Sequence, residues 1–253
     1  MDLGITGKRA AVAAAASGLG LASATALAEA GCRVAICGRH EDRLLAAVRH
    51  IHEAVPGAEV TPIVADLSST EGAERFVLDA IATLGGIDIL VPNAGGPPAG
   101  GFETTALDAY LPALQLNLLS TVAMCHAAVP AMAERGWGRV VAITSHSVRQ
   151  PVPNLILSNT ARAGVTGFLK TLATEVAPHG VTVNSVQPGL HATDRLLHLH
   201  GGDTDGAARS VPTKTVGRPE DFGAVVAFLA GDQARFITGT AVPVDGGAAQ
   251  GLQ

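Results

Sequence analysis

The segment Gly138–Gly189, GRVVAITSHSVRQPVPNLILSNTARAGVTGFLKTLATEVAPHGVTVNSVQPG, constrains the fold more tightly than any other part of the chain. It opens with an unbroken apolar run, Val140 to Ile143, flanked by Gly138 and by polar Thr144-Ser145. A short run of this kind reads as a strand buried on both faces. A loop with Pro151 and Pro153 follows, then a helical pattern from about Leu157 to Ala177 and a second strand, Val181 to Val186, that stops at Pro188-Gly189. The result is a strand–helix–strand unit whose polar residues gather at the carboxyl ends of its strands, where open α/β sheets bind ligands.

The same alternation fills the rest of the chain. Lys8 to Ala16 reads as an alanine-rich strand entering the turn Ser17-Gly18-Leu19-Gly20, followed by a helix to about Glu29 and a strand from Arg33 to Cys37. Glycines at such a turn let the backbone approach a pyrophosphate, whose charge sits at the helix amino terminus. Ala14 is compatible with that turn if its φ is negative. Glu41 to Ala54 is a helix, Glu59 to Val64 a strand ending at Asp66-Leu67, and Ile87 to Val91 a strand running into Pro92-Asn93-Ala94-Gly95-Gly96. A long helical pattern spans about Asp108 to Ala133, and a final helix from Gly217 to about Leu229 precedes the last strand, Ala241 to Val244. The segment 190–215, with His191, His198, His200 and a polar GGDTDG run, reads as a mobile lid. No linker or internal repeat divides residues 1–253, so one α/β domain is expected.

Composition narrows the partners. The net charge is −5, without a basic cluster, which argues against nucleic acid and anionic membrane surfaces. Cys32, Cys37 and Cys125 are odd in number and lack metal-ligand spacing, so they read as small buried residues of a reducing compartment. No metal site is expected, since His-x-His at 198–200 comes without carboxylates of known geometry. No charged leader with an apolar segment opens the chain and no apolar run reaches membrane-spanning length, so a cytoplasmic location is the expectation.

Taken together these motifs resemble the short-chain dehydrogenase/reductase family over nearly the whole chain. In that family a Ser ends the strand, and a Tyr-x-x-x-Lys motif begins thirteen residues later; Ser145 fits the first position. The register back from Asn184 and Pro188-Gly189 puts Ser158 at the Tyr position and Arg162 at the Lys position. The only tyrosine is Tyr110, and neither Lys8, Lys170 nor Lys214 stands four residues after it. The resemblance implies a doubly wound Rossmann-type domain with a mostly parallel seven-stranded sheet. It implies a nucleotide site of Ser17, Gly18, Leu19, Gly20, Arg39, Asp66, Leu67, Asn93, Ala94 and Gly95, with Arg162, Pro188, Gly189 and Thr193 at the nicotinamide end. The catalytic set it implies is Asn117, Ser145, Ser158 and Arg162. A homo-oligomer, tetramer or dimer, acting on a small-molecule carbonyl or alcohol also follows from the likeness alone.

Several positions keep two readings. No acidic residue ends the second strand to take a ribose 2′-hydroxyl, and Arg39 offers a guanidinium fork to a 2′-phosphate, which favours NADP(H); otherwise Arg39 pairs with Glu41 or Asp42 in solvent. Asp66 meets the adenine amino group or caps the helix starting near Ser69. Asn117 holds a water or steadies a helical kink. Tyr110 is read as a packing or oligomer contact. A serine hydroxyl is a poor proton source and an arginine keeps its charge, so the proton for an alkoxide must come from elsewhere. His146 should face away from Ser145 if the strand continues, and His191, a water near Asn117 or the substrate itself are the alternatives, with water or substrate favoured. The function expected is an NADPH-dependent carbonyl reductase with an atypical site; the alternative is a catalytically silent NADP(H)-binding or regulatory protein.

Overall fold

In the computed structural model, which describes residues 2–199 and 201–251, seven strands form one sheet. They are β1 (Arg9–Val12), β2 (Arg33–Gly38), β3 (Val60–Val64), β4 (Ile89–Val91), β5 (Gly138–Ile143), β6 (Val181–Pro188) and β7 (Ala241–Val244). Their order across the sheet is β3-β2-β1-β4-β5-β6-β7, and every neighbouring pair is parallel, so the expected mostly parallel sheet is parallel throughout.

Nine α-helices among the described residues connect and flank the strands. These are α1 (Gly18–Glu29), α2 (Glu41–Ala54), α3 (Thr70–Leu84), α4 (Tyr110–Leu114), α5 (Ser120–Glu134), α6 (Ile156–Val176), α7 (Asp194–Leu199), α8 (Thr204–Ser210) and α9 (Pro219–Ala230). Strand side chains alternate between faces, so a strand buried on both sides sends alternate residues to two cores. Ala10, Val12, Val141 and Ile143 join Leu27 of α1, Leu44 of α2 and Phe222 of α9 in one core. Ala11, Ala13, Val140 and Ala142 join Phe76 of α3, Met124 of α5 and Val165 of α6 in the other. The unbroken apolar runs in the sequence are the signature of this double burial.

Winding runs outward from β1 through β2 to β3, then returns so that β4 lies on the other flank of β1. The chain therefore diverges above the carboxyl ends of β1 and β4, opening the crevice in which such sheets bind ligands.

The helical stretch predicted over 108–133 is not one regular helix. A 3₁₀ turn (Leu107–Ala109) leads into α4, and a π-turn (Gln115–Leu119) separates α4 from α5. Side chains here bond carbonyls four residues back: the Asn117 amide donates to Ala113 O (3.3 Å), Ser120 Oγ to Leu116 O (2.5 Å) and Thr121 Oγ1 to Asn117 O (3.1 Å). Such back-bonding competes with the regular ladder, and π-turns are where that ladder widens. Leu107–Glu134 does have the length and mean hydropathy (1.4) of a membrane-crossing helix, contrary to the expectation that no run reaches that length. Its apolar side chains have a packing role: Met124, Ala128 and Met132 lie in the second core with α3.

Between residues 190 and 215 lie two short helices, α7, whose first residues border the crevice, and α8. Reciprocal bonds from Ala192 N to Gly217 O and from Gly217 N to Leu190 O, each 2.9 Å, anchor the start of the segment. His200 lies outside the described residues.

Candidate functional site

A cleft of about 760 Å³ opens above the carboxyl ends of the central strands. One end of it is the glycine turn. Leaving β1, the chain reaches Ala14, whose φ is +48°, in the left-handed region that costs a residue with a Cβ roughly 1–2 kcal/mol. The condition of a negative φ, under which a methyl group would be accommodated without strain, is not met. Two contacts hold the conformation: Ala14 N donates to Cys37 Sγ (3.4 Å), and the Asn93 side-chain amide donates to Ala14 O (3.3 Å). Gly20 lies against the same carbonyl, so a Cβ at Gly20 would strike Ala14 O and come within 2.9 Å of the Asn93 amide nitrogen. The first turn of α1 has no acidic residue, and Ser17, its N-cap, makes no side-chain cap bond. Unneutralised amide groups at a helix start, approached without a Cβ in the way, fit the pyrophosphate of a dinucleotide.

At the carboxyl end of β2, Arg39, His40 and Arg43 line the cleft. Arg39 makes no ion pair with a described residue, so the alternative of pairing with Glu41 or Asp42 is not the arrangement observed. Asp66 and Leu67 line the wall after β3. Asp66 does not cap α3: Ser69 does, accepting from Gly72 N (3.1 Å), while Asp66 accepts from Ser68 N (3.0 Å). Asn93, Ala94 and Gly95 follow β4 along the same wall.

The other end of the cleft brings together residues from β5, α6 and the segment after β6. Ser145, Ser158, Arg162, Pro188, Gly189 and Thr193 all line it. The Ser145 backbone is extended, and its Oγ accepts from Ser147 N (3.1 Å), leaving the hydroxyl proton free to donate. Ser158, in the first turn of α6, is buried and makes no hydrogen bond to a described residue. Arg162, one turn on, donates from one terminal nitrogen to Ile143 O (3.1 Å) and Thr144 O (3.0 Å), and from the other to Ala94 O (3.4 Å). Burial, with Arg195 nearby as a second cause, pushes the Arg162 guanidinium down from the ordinary arginine range to about 10, so it remains charged at neutral pH. Asn117 does not line the cleft; Leu116 does, and the Asn117 side-chain oxygen is buried without a donor among the described residues. Thr193 accepts from Leu196 N (3.4 Å) at the start of α7.

Two expectations about histidines fail. β5 ends at Ile143 and a 3₁₀ turn begins at His146, so strand alternation stops and His146 lines the cleft along with Ser145. His191, expected on a mobile lid, is buried, with Nδ1 3.3 Å from Gly189 O and its ring edge-on to Phe222 at 5.3 Å between centroids. Burial lowers its pKa, which favours the neutral ring. The three cysteines are buried thiols, each pushed up to about 12 chiefly by desolvation. Tyr110 lies outside the cleft lining.

Sequence reasoning missed Arg195 and Arg43. The Arg195 guanidinium lies on Gly96, where a Cβ would strike it, and donates to Pro97 O (3.3 Å), closing the α7 side against the loop after β4. Both arginines sit in the first turn of a helix that starts directly after a strand-end loop, and that position is the signal that would have found them.

The sequence matches the model of the family described as Enoyl-(Acyl carrier protein) reductase over residues 13–249. It is 34% identical over 248 residues to dehydrogenase/reductase SDR family member 4 of Sus scrofa, covering 97% of this chain and 88% of that protein. The structure superposes on L-sorbose reductase from Gluconobacter frateurii, complexed with NADPH and L-sorbose, with a TM-score of 0.92 and 32% identity, covering 100% of both chains. It also superposes on the NADPH-bound short chain oxidoreductase of Pseudomonas aeruginosa PAO1 containing an atypical catalytic center, with a TM-score of 0.90 and 31% identity over 98% of this chain and 100% of that one. With its all-parallel seven-stranded sheet, its glycine turn at the crevice and these relatives, the chain belongs to the short-chain dehydrogenase/reductase family of oxidoreductases.

Proposed function

We propose that this chain binds NADP(H) and acts as a carbonyl reductase through an atypical centre in which Ser158 and Arg162 stand where the family has its Tyr and Lys. The observation that carries this is the convergence of Ser145, Ser158 and Arg162 at one end of a cleft whose other end holds the glycine turn and two arginines, Arg39 and Arg43. The relatives solved with NADPH support the choice of nucleotide.

The α1 amino terminus holds the pyrophosphate, and Arg39 with Arg43 holds the 2′-phosphate. When bound, the nicotinamide supplies a hydrogen with its electron pair to the substrate's carbonyl carbon, or accepts them in the reverse direction. Arg162 keeps a fixed positive charge close to the oxygen on which negative charge develops, and an environment prepared in advance stabilises that charge without reorganising. Ser145 and Ser158 donate hydrogen bonds to the same oxygen. Neither hydroxyl is acidic enough to surrender its proton near neutrality, and Arg162 cannot cycle as an acid. Segment 190–215, latched by Arg195 to the loop after β4, acts as the lid over the substrate. Leu107 and Leu111, 88% and 61% exposed, support a homo-oligomer built on the 107–119 stretch.

A second reading, a catalytically silent NADP(H)-binding protein, is favoured by one observation: no tyrosine or lysine lines the cleft. Titration calorimetry with NADPH and NADH, followed by anaerobic stopped-flow recording of nicotinamide absorbance with ketones, diketones and quinones, separates the two. Oxidation of bound NADPH by a carbonyl supports the reductase. Tight binding without oxidation by any of them supports the silent protein.

A further inference from the structure

We propose that His146 is the proton donor of this centre, its Nε2 delivering the proton that the substrate oxygen takes up on reduction; this rests on the reductase reading above. Ser145 caps a 3₁₀ turn, His146–Val148, so the regular alternation of a strand does not run on through His146. Both line the cleft with Ser158 and Arg162. His146 Nδ1 lies 3.0 Å from the carbonyl oxygen of Pro188, the last residue of β6. A carbonyl oxygen only accepts, so Nδ1 carries the hydrogen of that bond, and Nε2 is the ring nitrogen left to gain and lose a proton.

The other groups at this end are unsuited to the role. Ser145 and Ser158 hydroxyls and the Arg162 guanidinium hold their protons too firmly near neutrality. His191 is packed between Phe222 and Gly217, where burial favours its neutral form. His40 lies with Arg39 and Arg43 at the far end. An imidazole is the side chain most often used as a general acid.

In the step itself, the π electron pair of the C=O bond moves to oxygen as a hydrogen carrying its bonding electron pair reaches carbon. The Nε2–H bond of doubly protonated His146 breaks as an O–H bond forms. The N–H pair stays on the ring, which becomes neutral and regains its proton from solvent through the cleft mouth. Charges facing the same space are Arg162 on α6, Asp194 and Arg195 on α7, and His191 after β6. Behind Pro188, Arg149 is bonded to Gln187, and Asp245 to the amides of Gly247 and Ala249.

The test uses His146→Asn, whose side-chain amide can still donate to Pro188 O, and His146→Gln as a second replacement. Both are expected to bind NADPH as the wild type does while kcat/KM for carbonyl reduction falls about 10²-fold or more. The decline of wild-type reduction with rising pH, set by loss of the imidazole proton, should vanish in both. A readout independent of turnover is ¹⁵N NMR of histidine-labelled protein: neutral His146 should be protonated on Nδ1, with Nε2 titrating. A neutral ring protonated on Nε2, or variants with unchanged kcat/KM and pH profile, would overturn the assignment and leave the reductase standing. Wild-type protein that binds NADPH and passes hydrogen to no carbonyl would overturn both.

Discussion

Replacing Arg162 with Met separates what this residue does for the site from what it does for the fold. A guanidinium pushed down to about 10 is disfavoured in its charged form by roughly 3 kcal/mol relative to the unfolded chain. Arg162→Met removes that cost and keeps an apolar side chain of similar length. Against this stands the loss of two good bonds, to Ile143 O at 3.1 Å and Thr144 O at 3.0 Å, each worth about 1.5–3 kcal/mol with a charged donor. The opposing effects partly cancel, leaving a net loss of about 0–3 kcal/mol. For a chain of this size that is a fall in Tm of no more than about 12 °C. The site fares differently: loss of a fixed charge beside a developing oxyanion costs roughly 10²–10³ in rate. Differential scanning calorimetry and the NADPH oxidation assay, run on the same preparations, check both halves. The sign can be tested in alkali too. Because the folded-state value is depressed, the penalty holds below about 10 and is relieved as pH rises above it toward the ordinary arginine range, so wild type should gain on the variant there. A fall in Tm beyond about 15 °C, or retained kcat/KM, would refute the reasoning.

Other positions yield shorter tests. Gly20→Ala places a Cβ against Ala14 O and the Asn93 amide, so it should destabilise by about 1–3 kcal/mol and weaken NADPH binding, measured by thermal melts with and without nucleotide. Arg39→Ala should weaken NADPH binding about 10- to 100-fold, the value of a charged hydrogen bond, and leave NADH binding almost unchanged; equal losses for both would remove the 2′-phosphate role. His191 is buried with a lowered pKa, so the unfolded chain takes up its proton first and stability falls as pH drops below the ordinary histidine value. His191→Leu should therefore lose less Tm than wild type between about pH 7.5 and about pH 5.5.

Much of this architecture was legible because double burial leaves a strong trace. Runs such as Val140–Ile143 and Val34–Cys37 have no polar face, and only a sheet covered on both sides accommodates them in sequence with intervening helices. The glycine turn was legible as a place but not as a conformation: a left-handed Ala14 has no local signature, since Asn93 and Cys37, far away in sequence, hold it there. The π-turn at Gln115–Leu119 was hidden for the same reason, because the residue pattern of a helix barely changes when one turn widens. The reading that turned His146 away from Ser145 held only if the strand continued past Ile143, and β5 stops there. Period-2 reasoning fails at the point where a strand ends, and strand ends are where ligand sites in parallel sheets lie.

That failure bears on how the centre is organised. In a pair made of a phenol and an amine, stabilising charge and moving a proton are coupled, since the amine's charge is what makes the phenol acidic. Ser158 and Arg162 break that coupling. A hydroxyl beside a guanidinium is held and oriented by it, yet stays far from releasing its proton near neutrality. The guanidinium is occupied on both terminal nitrogens by backbone carbonyls of β5 and of the loop after β4, so its charge is fixed in place by the sheet itself. A centre with an immobile charge needs its mobile proton on a different element. The turn following β5 offers an imidazole anchored through Nδ1 to the neighbouring strand. The charge is thereby tied to α6 and the proton to the β5 turn, two elements that meet only at the cleft.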